Sequence, residues 1–100
     1  MSLKEMQVNQ EIERLLVRQD INVRKLTFRY IPAGRRLEMK GELRWFQAGE
    51  VKDENEVRRL EMRLLRLDGV DRIRWRLDNW KKTGAGWEHK NQEREATEPQ

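Results

Sequence analysis

The chain has 100 residues, the length of one domain, of which 36% are hydrophobic and 40% are charged. A chain of this size and composition buries one modest core. The lack of cysteine in the sequence excludes disulfides, thiolate catalysis and cysteine-ligated zinc. Lysine and arginine number 22 against 18 acidic residues, so the formal net charge is +4 and the surface is densely charged.

No run of apolar residues approaches the roughly 20 that span a bilayer, and the N-terminal residues lack the apolar region of a signal peptide. The sequence as it stands predicts a cytoplasmic protein. If a signal peptide has been removed, it predicts an envelope or periplasmic one. His89, the sole histidine, stands in a polar stretch, so a histidine metal triad or a histidine-based nucleophile is excluded. We expect no metal, no cofactor, and a structural or solvated His89.

The first segment has helical periodicity. Ser2 and Glu5 have the spacing of a capping box, and the apolar positions from Val8 to Leu16 recur every three or four residues. The pattern predicts a helix from about residue 5 to residue 19.

The period then changes to two, which is typical of strands. Residues 21–30 and 37–45 alternate apolar and polar side chains, and residues 31–35 contain the turn formers Pro32 and Gly34. The two runs predict an antiparallel hairpin. Gly41 lies inside the second run, where we expect a helix or a neighbouring side chain to pack closely.

A second helix and a third strand follow. Asp53 and Glu56 have the spacing of an N-cap and its third residue, and the leucines after them predict a helix that ends at Gly69. Residues 70–77 alternate again and predict a strand. The sequence therefore predicts an α+β fold: a single α-β-β-α-β domain over residues 1–82, with two helices on one face of a three-stranded sheet.

The last segment, residues 83–100, is polar and has almost no apolar periodicity. Such a composition buries too little surface to offset the entropy of ordering the chain, so we expect a disordered tail. Trp87 is the exception. Two interpretations remain open for it: folding back onto the domain, or exposure as a docking anchor.

The segment from Val23 to Leu77, about half of the chain, resembles the BON domain, a small α-β-β-α-β module. The resemblance rests on Met39-Lys40-Gly41-Glu42-Leu43, which is similar to the second-strand pattern of that family, and on Gly69-Val70 before the last strand. It implies a noncatalytic module associated with membranes, cell envelopes or ring-like assemblies. Phospholipid binding is proposed for some members of the family.

The polar positions of the predicted strands form the candidate site. If the apolar positions face the helices, the opposite face carries Lys25, Arg29, Lys40, Arg44, Arg72, Arg74 and Arg76. Glu38 and Glu42 share that face. Two interpretations are therefore open: a solvated face of cross-strand ion pairs, or a surface for an anionic or protein partner. The three arginines of the last strand project in a row about 6.6–6.8 Å apart, which suits phosphates or carboxylates.

We expect a noncatalytic binding or assembly module whose partner is an anionic phospholipid, a protein or a second copy of the chain. An enzyme is unsupported because no base, nucleophile and orienting group come together in the sequence. RNA binding by a KH-like topology is the alternative, although no Gly-x-x-Gly loop joins two helices. The candidate interface residues, for which packing at the core rim is the competing interpretation, are Trp45, Phe46, Trp80 and Trp87.

Overall fold

A computed structural model describes residues 3–47, 49–51 and 53–90 of the chain. Ser2 and the last ten residues of the predicted tail lie outside the described residues. The elements in chain order are α1 (Leu3–Arg18), β1 (Leu26–Ile31), β2 (Arg36–Gly41), β3 (Arg44–Trp45), β4 (Gly49–Glu50), α2 (Glu54–Leu65), β5 (Arg72–Leu77), β6 (Trp80–Thr83) and β7 (Gly86–His89). The predicted α+β fold is confirmed: the two helices and the three strands of the main sheet follow one another in the predicted order, and the short β3 and β4 are additional elements before α2.

The main sheet has three strands, with β2 in the centre. β2 pairs antiparallel with β1, as the predicted hairpin requires, and parallel with β5. Parallel neighbours need a long crossover connection, and α2 lies in the chain between β2 and β5. The register aligns Phe28, Met39 and Trp75 in one cross-strand row. Apart from Ile31, the apolar positions of all three strands therefore share one face.

That face and the two helices enclose one hydrophobic core. The helices contribute buried residues that include Ile12 and Leu16 from α1 and Leu64 from α2, and the sheet contributes Leu37 and Met39. The side chains of these five residues are inaccessible to water, so the core stabilises the fold mainly by removing apolar surface from solvent. The sheet presents its other face away from this core.

α2 begins where predicted and ends earlier. Asp53 is the N-cap, and its carboxylate accepts a hydrogen bond from the Asn55 amide at 3.0 Å. The helix ends at Leu65 rather than Gly69, because the next residues form tighter turns in which Gly69 has a φ of +100°. The carbonyl of Gly69 accepts a hydrogen bond from the Tyr30 hydroxyl at 2.7 Å. This hydrogen bond connects the turns that follow α2 to β1.

Gly41 ends β2 because the chain bends there. Its φ is +118°, and a Cβ at this position would lie 2.3 Å from the carbonyl oxygen of Lys25. The expected close approach exists, but the backbone of Lys25 makes it rather than a helix or a side chain. The strand predicted over residues 37–45 is consequently divided, and its second part is the short β3, which pairs with β4.

The segment predicted to be a disordered tail begins with a β-hairpin. β6 and β7 pair antiparallel across the two-residue connection Gly84-Ala85, and the hairpin contacts α2. Trp87 and His89 are only 6% and 5% exposed. The prediction of disorder, and the domain boundary at residue 82, are therefore wrong for residues 83–90. The polar composition of the segment did not indicate this order, because the order depends on the burial of only two residues, Trp87 and His89.

Candidate anion-binding face

The side of the main sheet opposite the core is named the basic face. Side chains alternate along a strand, so every second residue of β1, β2 and β5 points to this side. The register places these residues in three cross-strand rows: Thr27, Lys40 and Arg76; Arg29, Glu38 and Arg74; and Ile31, Arg36 and Arg72.

The basic face carries six cationic side chains and one carboxylate, that of Glu38. The whole chain has a formal net charge of only +4, so its positive excess is concentrated on this face. Neighbouring rows are about 6.6–6.8 Å apart and neighbouring strands about 4.8 Å apart. The cations are thus arranged in two dimensions, and the backbone of the sheet sets the spacing between them.

Few of these charges are neutralised by neighbouring side chains. On the basic face, the described residues form one salt bridge, between Arg36 and Glu38 of the same strand, with 3.9 Å between Nη2 and Oε2. The other five cations form no salt bridge with any described residue: Arg29, Lys40, Arg72, Arg74 and Arg76. The cross-strand ion pairs considered from the sequence are therefore absent from this part of the chain.

Arg36 is a member of the face that the sequence interpretation missed. The second strand was expected to start at residue 37, whereas β2 starts at Arg36 and the residue pairs with Ile31 and Arg72. The Nε of Arg36 is buried and has no hydrogen-bond partner among the described residues. The sequence contains one indication of this placement. Arg36 stands two residues before Glu38, and alternate residues of a strand point to the same side.

Lys25 and Arg44, in contrast, do not belong to the face. Lys25 precedes β1, and Arg44 lies in β3, beyond the bend at Gly41. Glu42 follows the last residue of β2 and therefore also lies outside the three rows, and its carboxylate contacts Arg44 at 3.4 Å. The strands predicted over residues 21–30 and 37–45 extend beyond the ends of β1 and β2, because the alternation of residue types continues past both ends.

A shallow depression of about 260 Å³ opens on the basic face. We call it the basic depression. Lys40 and Arg76 are aligned in one row, and Arg29 and Glu38 are aligned in the next. Thr27 completes the polar part of the lining, with its hydroxyl donating to the Lys40 carbonyl at 3.2 Å. The depression therefore offers several donors and one carboxylate to a small ligand.

The four aromatic interface candidates divide between the core and the surface. Trp80 and Trp87 are buried in the core, and the Trp80 Nε1 donates to the Val51 carbonyl at 2.9 Å. Trp45 is half-buried and packs against the same core. Packing is thus the structural role of these three tryptophans. Phe46 is the exception, with 63% of its surface exposed.

Among the described residues, no three histidine, cysteine, aspartate or glutamate side chains gather closely enough to hold a metal ion. In the same part of the chain, no helix has the length and apolar composition that crossing a membrane requires.

No family model, curated protein or solved structure matches the chain. The geometry alone therefore defines the class of protein: a small α+β domain whose helices cover one face of a three-stranded sheet and whose basic face is not covered by any of the described residues.

Proposed function

We propose that the chain is a noncatalytic binding module whose basic face binds a phosphate-bearing surface, with anionic phospholipid as the partner. The observation that carries the proposal is the set of five cations on this face that lack a salt bridge within the described residues. Exposed cations that are not paired within the protein attract anions without first losing an internal partner. Each lysine or arginine near an anionic membrane contributes about 1 kcal/mol to binding.

The composition of the basic face favours binding to a membrane surface over binding to single-stranded RNA. Proteins that bind single-stranded nucleic acid combine basic groups with exposed aromatic rings on which bases stack. Here the aromatic side chains of the sheet, Phe28, Tyr30 and Trp75, pack against the core. The basic face itself carries aliphatic and polar side chains between its cations. The arrangement of cations on this face thus suits phosphates spread over a surface. RNA binding remains the alternative.

The resemblance to the BON family stays a prediction and agrees with this proposal, because phospholipid binding is proposed for some members. Assembly through a second copy of the chain is a different use of the same domain. It does not explain the concentration of cations, because two basic faces repel each other.

The test is a titration series with neutral vesicles, anionic vesicles and a single-stranded RNA, at low and at physiological salt. The proposal predicts binding to anionic vesicles, no binding to neutral vesicles, and weaker binding to the RNA than to the anionic vesicles at both salt concentrations. Tighter binding to RNA, with affinity falling steeply as salt rises, would favour the alternative. Light scattering of the protein alone reports self-association, and a concentration-dependent oligomer without anion binding would contradict the proposal.

A further inference from the structure

The basic depression combines cations with a carboxylate, which a site for a bare anion does not need. Lys40 is aligned with Arg76 on β5, and Glu38 is aligned with Arg29 on β1. The four side chains line the same depression of about 260 Å³. The volume is sufficient for one small polar group rather than for an extended polymer.

The cations of the depression suit a phosphate. Arg29, Lys40 and Arg76 are exposed and form no salt bridge with the described residues. Arginine presents a planar fork of donors that matches phosphate oxygens, and lysine adds a compact charge between the two arginines. The three cations come from three adjacent strands and line the same depression.

Glu38 brings a negative charge to the depression, which a bound phosphate does not complement. Its side chain is 28% exposed, and its salt bridge to Arg36 is long, at 3.9 Å. An ionised carboxylate only accepts hydrogen bonds and has about four lone-pair sites. Beside a bound phosphate it repels the anion, unless the same ligand also brings a donor. A hydroxyl group next to the phosphate is such a donor.

We propose that the basic depression binds a phosphorylated polyol, with the phosphate held by Arg29, Lys40 and Arg76 and a neighbouring hydroxyl donating to Glu38. This inference rests on the proposed function and narrows its ligand from anionic surfaces in general to groups that carry both phosphate and free hydroxyls. The same chemistry occurs on the headgroup of a phosphorylated inositol lipid and on a free inositol phosphate.

The test compares the dissociation constants of inositol monophosphate and inorganic phosphate by calorimetric or NMR titration. A charged hydrogen bond from the hydroxyl corresponds to about a tenfold preference for inositol monophosphate. Glu38→Gln is expected to bind inorganic phosphate more tightly, because the repulsion is removed, and to lose part of that preference, because its amide oxygen accepts only a neutral hydrogen bond from the hydroxyl. A purely electrostatic site improves for both ligands by the same factor and keeps its ratio unchanged, which overturns the inference.

Glu42→Gln is the matched control, since it removes one carboxylate outside the basic face and leaves the preference intact. Two lipids identify the source of the ligand: phosphatidic acid, whose phosphate lacks neighbouring hydroxyls, and a phosphorylated phosphatidylinositol, each in neutral vesicles. Preference for the inositol lipid supports a membrane headgroup, and preference for the free inositol phosphate alone supports a soluble ligand. Equal binding of all the anions leaves the proposed function standing and refutes this inference. Binding of none refutes both.

Discussion

The indole rings of Trp75 and Trp87 meet edge to face, with their centroids 5.0 Å apart. Their Nε1 groups donate to the two carboxylate oxygens of Glu61, at 3.3 and 3.4 Å, and the ammonium of Lys82 contacts the same carboxylate. The cluster joins β5, α2 and the β6–β7 hairpin. It holds the hairpin against the rest of the domain.

We expect Trp87→Ala to lower the free energy of unfolding by about 3–5 kcal/mol, because it removes a buried aromatic ring and leaves a cavity. Urea denaturation followed by circular dichroism measures this change. Phe46→Ala is the control, since that ring is 63% exposed and its removal should change stability by about 0.5 kcal/mol or less. Equal stability of the two variants would show that the hairpin does not pack on the domain.

Replacement of Gly41 should destabilise the domain more than replacement of Gly34. Both have positive φ, but a Cβ at Gly41 would lie 2.3 Å from a backbone oxygen, whereas the space around Gly34 is open within 4 Å. The positive φ alone costs about 1–2 kcal/mol for alanine. Gly41→Ala adds a displacement of the backbone to that cost. Melting temperatures measure the difference, and a smaller loss for Gly41→Ala than for Gly34→Ala would contradict the close approach.

Much of the main sheet could be predicted from the sequence, because the patterns that indicate its strands and turn lie within short stretches of residues. The alternation of residues 70–77 predicted β5, and the turn residues Pro32 and Gly34 predicted the hairpin. The bend at Gly41 depends on the backbone of Lys25, sixteen residues earlier, and no periodicity reports such a contact. The hairpin near the C-terminus was missed because its order depends on packing against α2. The exposed positions of Arg72, Arg74 and Arg76 on β5 agree with the alternation in the sequence. The positions of Arg36, Lys25 and Arg44 depend on where the strands begin and end, which the alternation does not show.

Asn79 acts as a substitute strand partner for Leu43. Its side-chain amide donates to the Leu43 carbonyl at 2.9 Å, and its oxygen accepts from the Leu43 amide at 3.0 Å, in a buried position. Asn79→Ala leaves the buried Leu43 amide without this partner, whereas the Leu43 carbonyl keeps a hydrogen bond from the Val51 amide at 3.4 Å. We expect a loss of about 1–3 kcal/mol in the free energy of unfolding.

Faster hydrogen exchange at the Leu43 amide is the specific readout of the Asn79 substitution. Asn22→Ala provides the comparison, because the Asn22 side chain bonds the amide of Arg24 at an exposed site. The decrease in the free energy of unfolding of Asn22→Ala should be small. Unchanged exchange at Leu43 in Asn79→Ala would contradict the role of the buried amide.

The proposed function requires anions to bind to the basic face, and it requires more than a general attraction to the net positive charge of the chain. Two variants with the same net charge separate these cases. The first replaces three cations of the basic face by glutamine: Arg72, Arg74 and Arg76. The second replaces three exposed arginines of the helical side or its turns: Arg14, Arg59 and Arg66. Urea denaturation first establishes that both variants remain folded.

The most direct measurement is the affinity of these two variants for anionic vesicles at one salt concentration. At about 1 kcal/mol for each cation near the membrane, the basic-face variant should bind on the order of 100-fold more weakly than the unmodified chain. The helical-side variant should lose only a small part of its affinity, because its arginines lie on the side of the domain away from the vesicle. Equal losses in the two variants would contradict the claim and show that net charge alone attracts the membrane.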